Sequence, residues 1–247
     1  MYKAWCAVLS VITILGVHES LASSDAAGKD DAEVTLLALG TSLTANYQWP
    51  HELARQLSLC LARKVNIEIL AVAGANSSQA ATQFSSRRNR RPDIVLVEFA
   101  SNDADLLDGI GLDKSQSNHK ALLGRIREDV PGAHIVLMTM NPAFGLRGWV
   151  RPQLMEYQEM YRKLAAYNNV VLVDLAPTWS ESLAATGYKV QLPDGLHPTQ
   201  TAASRIILPA VQAKIGDLFR TRELNTCVTS PRGRSKSGHP SAIMLRE

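Results

Sequence analysis

Apolar and polar positions along the chain follow two periods in turn. Short apolar runs recur at Val34 to Leu39, Val65 to Val72, Ile94 to Phe99, His134 to Met140 and Val170 to Leu175, most of them closed by glycine, asparagine or aspartate. Runs of this length bounded by turn residues are the signature of buried strands. Between them the period lengthens. Trp49, Leu53, Leu57 and Leu61 fall at helical spacing in Trp49 to Ala62, with Pro50 tolerated in the first turn. Further helices are predicted from a cap at Ser77 or Ser78 to about Ser86, over Ser117 to Asp129 and over Pro152 to Tyr167. A short helical piece is expected near Trp179, and a last helix over Thr199 to Phe219, kinked at Pro209. Strand and helix alternate throughout, which predicts an α/β fold with a parallel sheet and helices on both faces. The basic run Arg87-Arg88-Asn89-Arg90-Arg91 reads as a solvated loop on the face away from any site, a grip on acidic polymer being the less favoured alternative.

The length of 247 residues suits one α/β domain, and the near-balanced charge of +3 gives no sign of nucleic-acid binding. The first residues change the picture. Lys3, the uncharged stretch Ala4 to Val17 and the small-residue site Ser20-Leu21-Ala22 have the layout of a secretory signal peptide, cleaved after Ala22. The stretch is shorter than the ~20 residues of a membrane span, so no stable membrane anchor is expected after cleavage and the mature protein is expected to be periplasmic or secreted. Residues 23–32 read as a linker, 33–219 as the folded domain and 220–247 as a basic, mobile tail. Cys60 and Cys227 remain in the mature chain, and an oxidising compartment predicts a disulfide between them, two free thiols being the alternative.

Chemistry gathers at the turns. Gly40-Thr41-Ser42-Leu43 ends the first strand, Gly74 follows the second and Asn102 the third, while Asp194 and His197 precede the last helix. In open α/β sheets ligands bind beyond the carboxyl ends of the strands, which puts the first three on one rim. A serine hydroxyl needs a base to take its proton, and the base needs a third group to fix its tautomer. Asp194-x-x-His197 supplies both within one turn. Of the 6 histidines, His51, His119 and His134 lack such a turn and read as surface or packing residues. Backbone N–H groups at Ser42 and Gly74 and the Asn102 amide are candidate oxyanion donors. Taken singly, each has a plain structural role as a cap or turn residue. Their occurrence together favours a site.

These four blocks resemble the SGNH (GDSL-type) hydrolases. Gly40-Thr41-Ser42-Leu43 is similar to the nucleophile block, Gly74 to the second, Ser101-Asn102-Asp103 to the third and Asp194-Gly195-Leu196-His197-Pro198 to the last, over roughly Val34 to Phe219. Thr41 stands where the family usually has aspartate and Ala100 where it usually has glycine. The resemblance implies a three-layer α/β/α flavodoxin-like fold with a five-stranded parallel sheet. It also implies ester or thioester hydrolysis without cofactor or metal, nearest to small secreted bacterial esterases and thioesterase/lysophospholipase-like enzymes. No G-x-S-x-G elbow is present, since Thr44 stands where its glycine would be, and no H-E-x-x-H zinc motif occurs.

The expected substrate is a small-molecule or glycan ester. Phe144, Arg147 and Trp149 are candidate substrate-binding residues, either as an aromatic platform for a sugar bearing O-acetyl groups, as the lining of an acyl-chain cleft or as a packed lid. Acyl transfer to a glycan hydroxyl and an inactive glycan-binding module remain as competing readings.

Overall fold

A computed structural model describes residues 33–89 and 91–219. The expected signal peptide, the linker up to residue 32 and the basic tail lie outside these residues. Five strands form one sheet: β1 (Val34–Gly40), β2 (Val65–Ile69), β3 (Ile94–Glu98), β4 (His134–Thr139) and β5 (Val171–Asp174). Every pairing is parallel and the order is β2-β1-β3-β4-β5. The order reverses between β1 and β3, and the crevice outside their carboxyl ends is where such sheets bind ligands.

The strands are apolar on both faces because each face carries its own helical layer. Val34, Leu36 and Ala38 of β1 pack with α2 (Trp49–Leu61), α8 (Ala176–Thr186) and α10 (Gln200–Phe219). Leu37 and Leu39 pack with α3 (Ala80–Ser85), α5 (Leu112–Asp129) and α7 (Leu154–Asn168). Short helices fill the rim: α1 (Ser42–Ala45), α4 (Ala100–Asp103), α6 (Gly145–Trp149) and α9 (Tyr188–Gln191). Pro209 stands inside α10. Cys60 is disulfide-bonded; the pairing expected with Cys227 lies outside the described residues.

Several boundaries differ from the sequence reading, each for a local reason. β2 ends at Ile69, although single bonds from Leu70 N–H to the Ala38 carbonyl and from Val72 N–H to that of Gly40 continue alongside β1. The helix after it is capped by Asn76. Its side chain accepts from Ser78 N–H while Gln79 reaches back to Asn76 N–H, a capping box that opens a 3₁₀ turn at Ser77–Gln79 before α3. α5 begins at Leu112, not Ser117, because its first turns bury polar side chains, Ser115 and His119, that an apolar stripe cannot reveal. The segment around Trp179 forms the eleven-residue α8 followed by α9.

The basic run is not wholly solvated. Arg87 is buried, its guanidinium 3.8 Å from the Phe84 ring centroid and 3.1 Å from Asp129, so cation–π contact and an ion pair replace its water. Arg88 is exposed and pairs with Glu68 at 3.3 Å.

Leu57 is fully buried in the α2 face of the core. Leu57→Ala removes four buried carbons' worth of contact less the one it keeps, and should cost about 2–5 kcal/mol of unfolding free energy, read from urea denaturation.

Candidate active site

The turn after β1 is shaped by what lies beneath it. Glu98, the last residue of β3, is buried, and its carboxylate accepts from Thr41 N–H at 2.6 Å, from the Thr41 hydroxyl at 3.0 Å and from the Thr44 hydroxyl at 2.8 Å. The Thr41 oxygen also accepts from Leu43 N–H, capping α1. Gly40 is required for space: a Cβ there would lie 2.3 Å from Glu98 Oε1. Across β1 the Gln83 amide holds Gly40 at both its N–H and its carbonyl. Ser42 is thereby set at the first turn of α1, where no helical carbonyl reaches its N–H.

The loop before α10 is clamped from two sides. Tyr47 donates to the Pro198 carbonyl at 2.8 Å, and the Gln200 amide bonds both the Asn46 carbonyl and Gln48 N–H. On the other side, Asn141 donates to the Leu196 carbonyl and Phe144 N–H to the Gly195 carbonyl. Gly195 has φ of +88°, and a Cβ there would meet the Phe144 carbonyl at 2.2 Å, so side chain and conformation alike demand glycine.

These clamps bring together residues far apart in sequence. Ser42 Oγ lies 2.9 Å from His197 Nε2, and His197 Nδ1 lies 2.8 Å from Asp194 Oδ2. An ionised carboxylate only accepts, so Nδ1 carries the hydrogen and Nε2 presents a lone pair to the serine hydroxyl. Asp194 Oδ1 accepts from Leu196 N–H at 3.0 Å and His197 N–H at 2.7 Å, closing the turn on itself. Partial burial pushes the Asp194 carboxyl up. The hydrogen bonds from the His197 side chain and from the His197 and Leu196 backbone outweigh that and hold it well below the usual carboxylate range.

Ser42 and His197 open on a cleft of about 320 Å³ lined also by Asn46, Gly74, Asn102, Asp105, Asp108, Arg147 and Arg151. Gly74 adopts φ of +79° in open space, so it is needed for conformation and not for clearance. The Asn102 amide gives one hydrogen to the Ala75 carbonyl at 2.9 Å and keeps a second. Such a site can generate an alkoxide nucleophile and receive a developing oxyanion.

The sequence model of the GDSL-like lipase/acylhydrolase family matches residues 38–204. The chain belongs to that family. Membership makes the domain a serine ester hydrolase of the GDSL type. An arylesterase from Vibrio mimicus is 28% identical over 179 residues, covering 69% of this chain and 83% of that protein. A multidomain esterase from Ruminococcus flavefaciens is 29% identical over 113 residues, and there the chain covers 43% of itself and only 13% of that protein. In fold the chain is similar to an acetylxylan esterase from Geobacillus stearothermophilus, with a TM-score of 0.65 and 18% identity over 76% of this chain and 96% of that one. It is also similar to an alpha/beta hydrolase enzyme from the metagenome of Lake Arreo, with a TM-score of 0.62 and 18% identity over 76% of this chain and 97% of that one.

Within this GDSL-type site, Arg147 faces the cleft, with Nε 3.5 Å from Asp194 Oδ2. Phe144 and Trp149 line a separate cleft on the other side of α6 and do not share the one that holds Ser42. Two residues at the site, Arg151 and Glu98, escaped the sequence reading, and Asp103 was named only as part of a block. Arg151 is buried and ties the site together: it donates to the Ser101 carbonyl at 2.7 Å and the Arg147 carbonyl at 3.2 Å, and pairs with Asp105 at 2.5 Å. Asp103 accepts from Ser77 N–H and from the Ser115 hydroxyl, fixing the chain on both sides of Asn102. Glu98 was hidden inside an apolar strand, a lone charge among Val95, Leu96, Val97 and Phe99, which was the one available signal.

Burial pushes the Glu98 carboxyl up to about 7, with the Asp103 charge adding to it, against the three hydrogen bonds that favour the ionised form. A carboxyl raised in the folded state is protonated there while the unfolded chain has already ionised, so stability falls as pH rises from the ordinary carboxylate range towards 7. Glu98→Gln keeps the acceptor for Thr41 N–H and removes the charge. Its stability relative to the parent should therefore rise between pH 5 and pH 8, by about 2 kcal/mol, in urea denaturation at the two values.

Proposed function

We propose that Ser42 is the nucleophile of this ester hydrolase and that it removes short acyl groups, acetyl above all, from hydroxyl-rich compounds such as a polysaccharide. The observation that carries the substrate reading is the lining around Ser42 and His197. Asn46, Asp105, Asp108, Arg147 and Arg151 present amide, carboxylate and guanidinium groups beside the apolar Ala73 and Leu196. These groups can exchange hydrogen bonds with sugar hydroxyls next to Ser42, and the small apolar part of the wall suits a short acyl group. The acetylxylan esterase named above supports the same direction at the level of fold.

In this reading His197 Nε2 takes the proton of Ser42 as Oγ attacks the acyl carbon, and returns it to the leaving alcohol. Asp194 holds the imidazole in the tautomer that accepts at Nε2 and stabilises the imidazolium. The N–H groups of Ser42 and Gly74 and the remaining Asn102 hydrogen receive the oxyanion. Water, activated by the same His197, then cleaves the acyl-enzyme. Arg147 contributes positive charge to the wall beside Asp194, where a sugar hydroxyl or ring oxygen can accept from it. The pattern of the first residues supports export, so the substrate is met outside the cytoplasm.

p-Nitrophenyl esters of increasing chain length, run beside an acetylated polysaccharide, test the substrate reading. Acetyl esters should be the best substrates, and a preference for octanoyl would refute it. Ser42→Ala should abolish labelling by a fluorophosphonate. Asn102→Ala should lower kcat by a few hundredfold, about 3 kcal/mol, with a far smaller change in KM.

A further inference from the structure

The second cleft, across α6 from the reaction site, is built differently from the first. It measures about 520 Å³ and is lined by Phe144 and Trp149 on α6 and its cap, by Met155 and Gln158 on α7, and by Arg151, which also walls the Ser42 cleft. The two clefts are thus neighbours with a common wall. Trp149 is 78% exposed, an indole left largely to water on a five-residue helix. Phe144 is stacked on Tyr188, with ring centroids 4.7 Å apart and planes 8° off parallel, so one of its faces is occupied and its position fixed.

At the floor of this cleft stands a polar group with unused capacity. Gln158 is only 4% exposed, yet its amide makes a single hydrogen bond, from Nε2 to the Met140 carbonyl at 3.3 Å. Among the described residues its Oε1 accepts nothing. An amide oxygen that accepts from no protein group keeps its capacity for a donor from a ligand or water. An exposed indole, apolar walls and one recessed acceptor call for a ligand with a flat C–H face and a hydroxyl rim, which is the amphipathic surface of a pyranose ring.

We propose that this cleft is a second carbohydrate-binding site, which holds a pyranose of the same glycan whose ester lies at Ser42, with the ring against Trp149 and a hydroxyl donating to Gln158. The proposal rests on the glycan-ester reading above. The shared wall selects the occupant: because Arg151 lines both clefts, a glycan whose ester lies at Ser42 has its neighbouring sugar units next to this one. The exposed indole therefore serves the long substrate and has no part in the turnover of a small one.

Two measurements separate the site from the activity. With an acetylated xylo-oligosaccharide and p-nitrophenyl acetate as paired substrates, Trp149→Ala should lower kcat/KM on the oligosaccharide relative to the small ester by about tenfold. Trp149→Tyr, which keeps an aromatic face, should recover most of the loss. An equal effect on both substrates, or no effect on either, overturns the proposal. In the second measurement, the intact protein is titrated with unacetylated xylo-, gluco-, manno- and galacto-oligosaccharides and followed by tryptophan fluorescence. At least one should bind, and Trp149→Ala should abolish the signal. If sugars bind but no acetylated glycan is turned over, the reading of the reaction fails and the binding site stands. If none of the sugars binds, the site fails whatever the esterase does. Binding of phosphatidylglycerol vesicles in their place, lost in Trp149→Ala, assigns the cleft to lipid and likewise overturns it.

Discussion

The carboxyl of Glu98, buried under the turn that follows β1, is the contact on which the position of Ser42 depends. Three donors from Thr41 and Thr44 close on it, and Gly40 must lack a side chain because that carboxyl fills the space. The arrangement joins neighbouring parallel strands at the point where the sheet order reverses, so the turn that carries Ser42 is fixed to the strand that leads to Asn102. It also accounts for Thr41. The hydroxyl caps α1 and donates to Glu98, so a residue unusual for the family satisfies both the helix start and the buried carboxyl. Ala100, the other departure, is buried in the core that packs β3 against α5 and α7, where its methyl group is accommodated.

A second constraint acts on the loop that carries Asp194 and His197. It has no regular structure of its own, and such segments hold a fixed geometry only when their backbone groups are bound from outside. Here Tyr47 and Gln200 bind one flank and Asn141 and Phe144 the other. Asp194 completes the turn from within, using one oxygen for the backbone and the other for the imidazole. That division lets one carboxylate shape the loop and orient the His197 imidazole together. Arg151 plays the matching part across the cleft, linking α6, Asp105 and the carbonyl of Ser101. The candidate site is held by cross-bonds between three rim segments, and the outer face of the same α6 is left to carry Trp149.

Much of this was legible in the sequence. Apolar runs and helical spacing gave the five strands, the major helices and their alternation, since burial on two faces forces an apolar run and burial on one forces a stripe. Ser42, Gly74, Asn102, Asp194 and His197 stood out because chemistry at strand exits uses residue types that cores avoid. What escaped were polar residues placed where pattern expects apolar ones. The start of α5 was missed because Ser115 and His119 face inward on hydrogen bonds to Asp103 and Tyr161. Arg87 was read as solvated because a charge gives no sign in one dimension that an aromatic ring and an aspartate from another helix will enclose it.

The sequence by itself determined the fold class, the family and the residues that the structure brings together at the cleft, because these follow from local period and from short ordered motifs. Only the tertiary structure decided which side of α6 each candidate substrate residue faces. Arg147 belongs to the cleft with Ser42, and Phe144 and Trp149 to its neighbour. All three lie within one short loop and differ by a few positions, so spacing could not separate them. The direction each side chain takes is set by a single helical turn held on one side by Gly195, 51 residues away in sequence, and on the other by Arg151 just beyond its end.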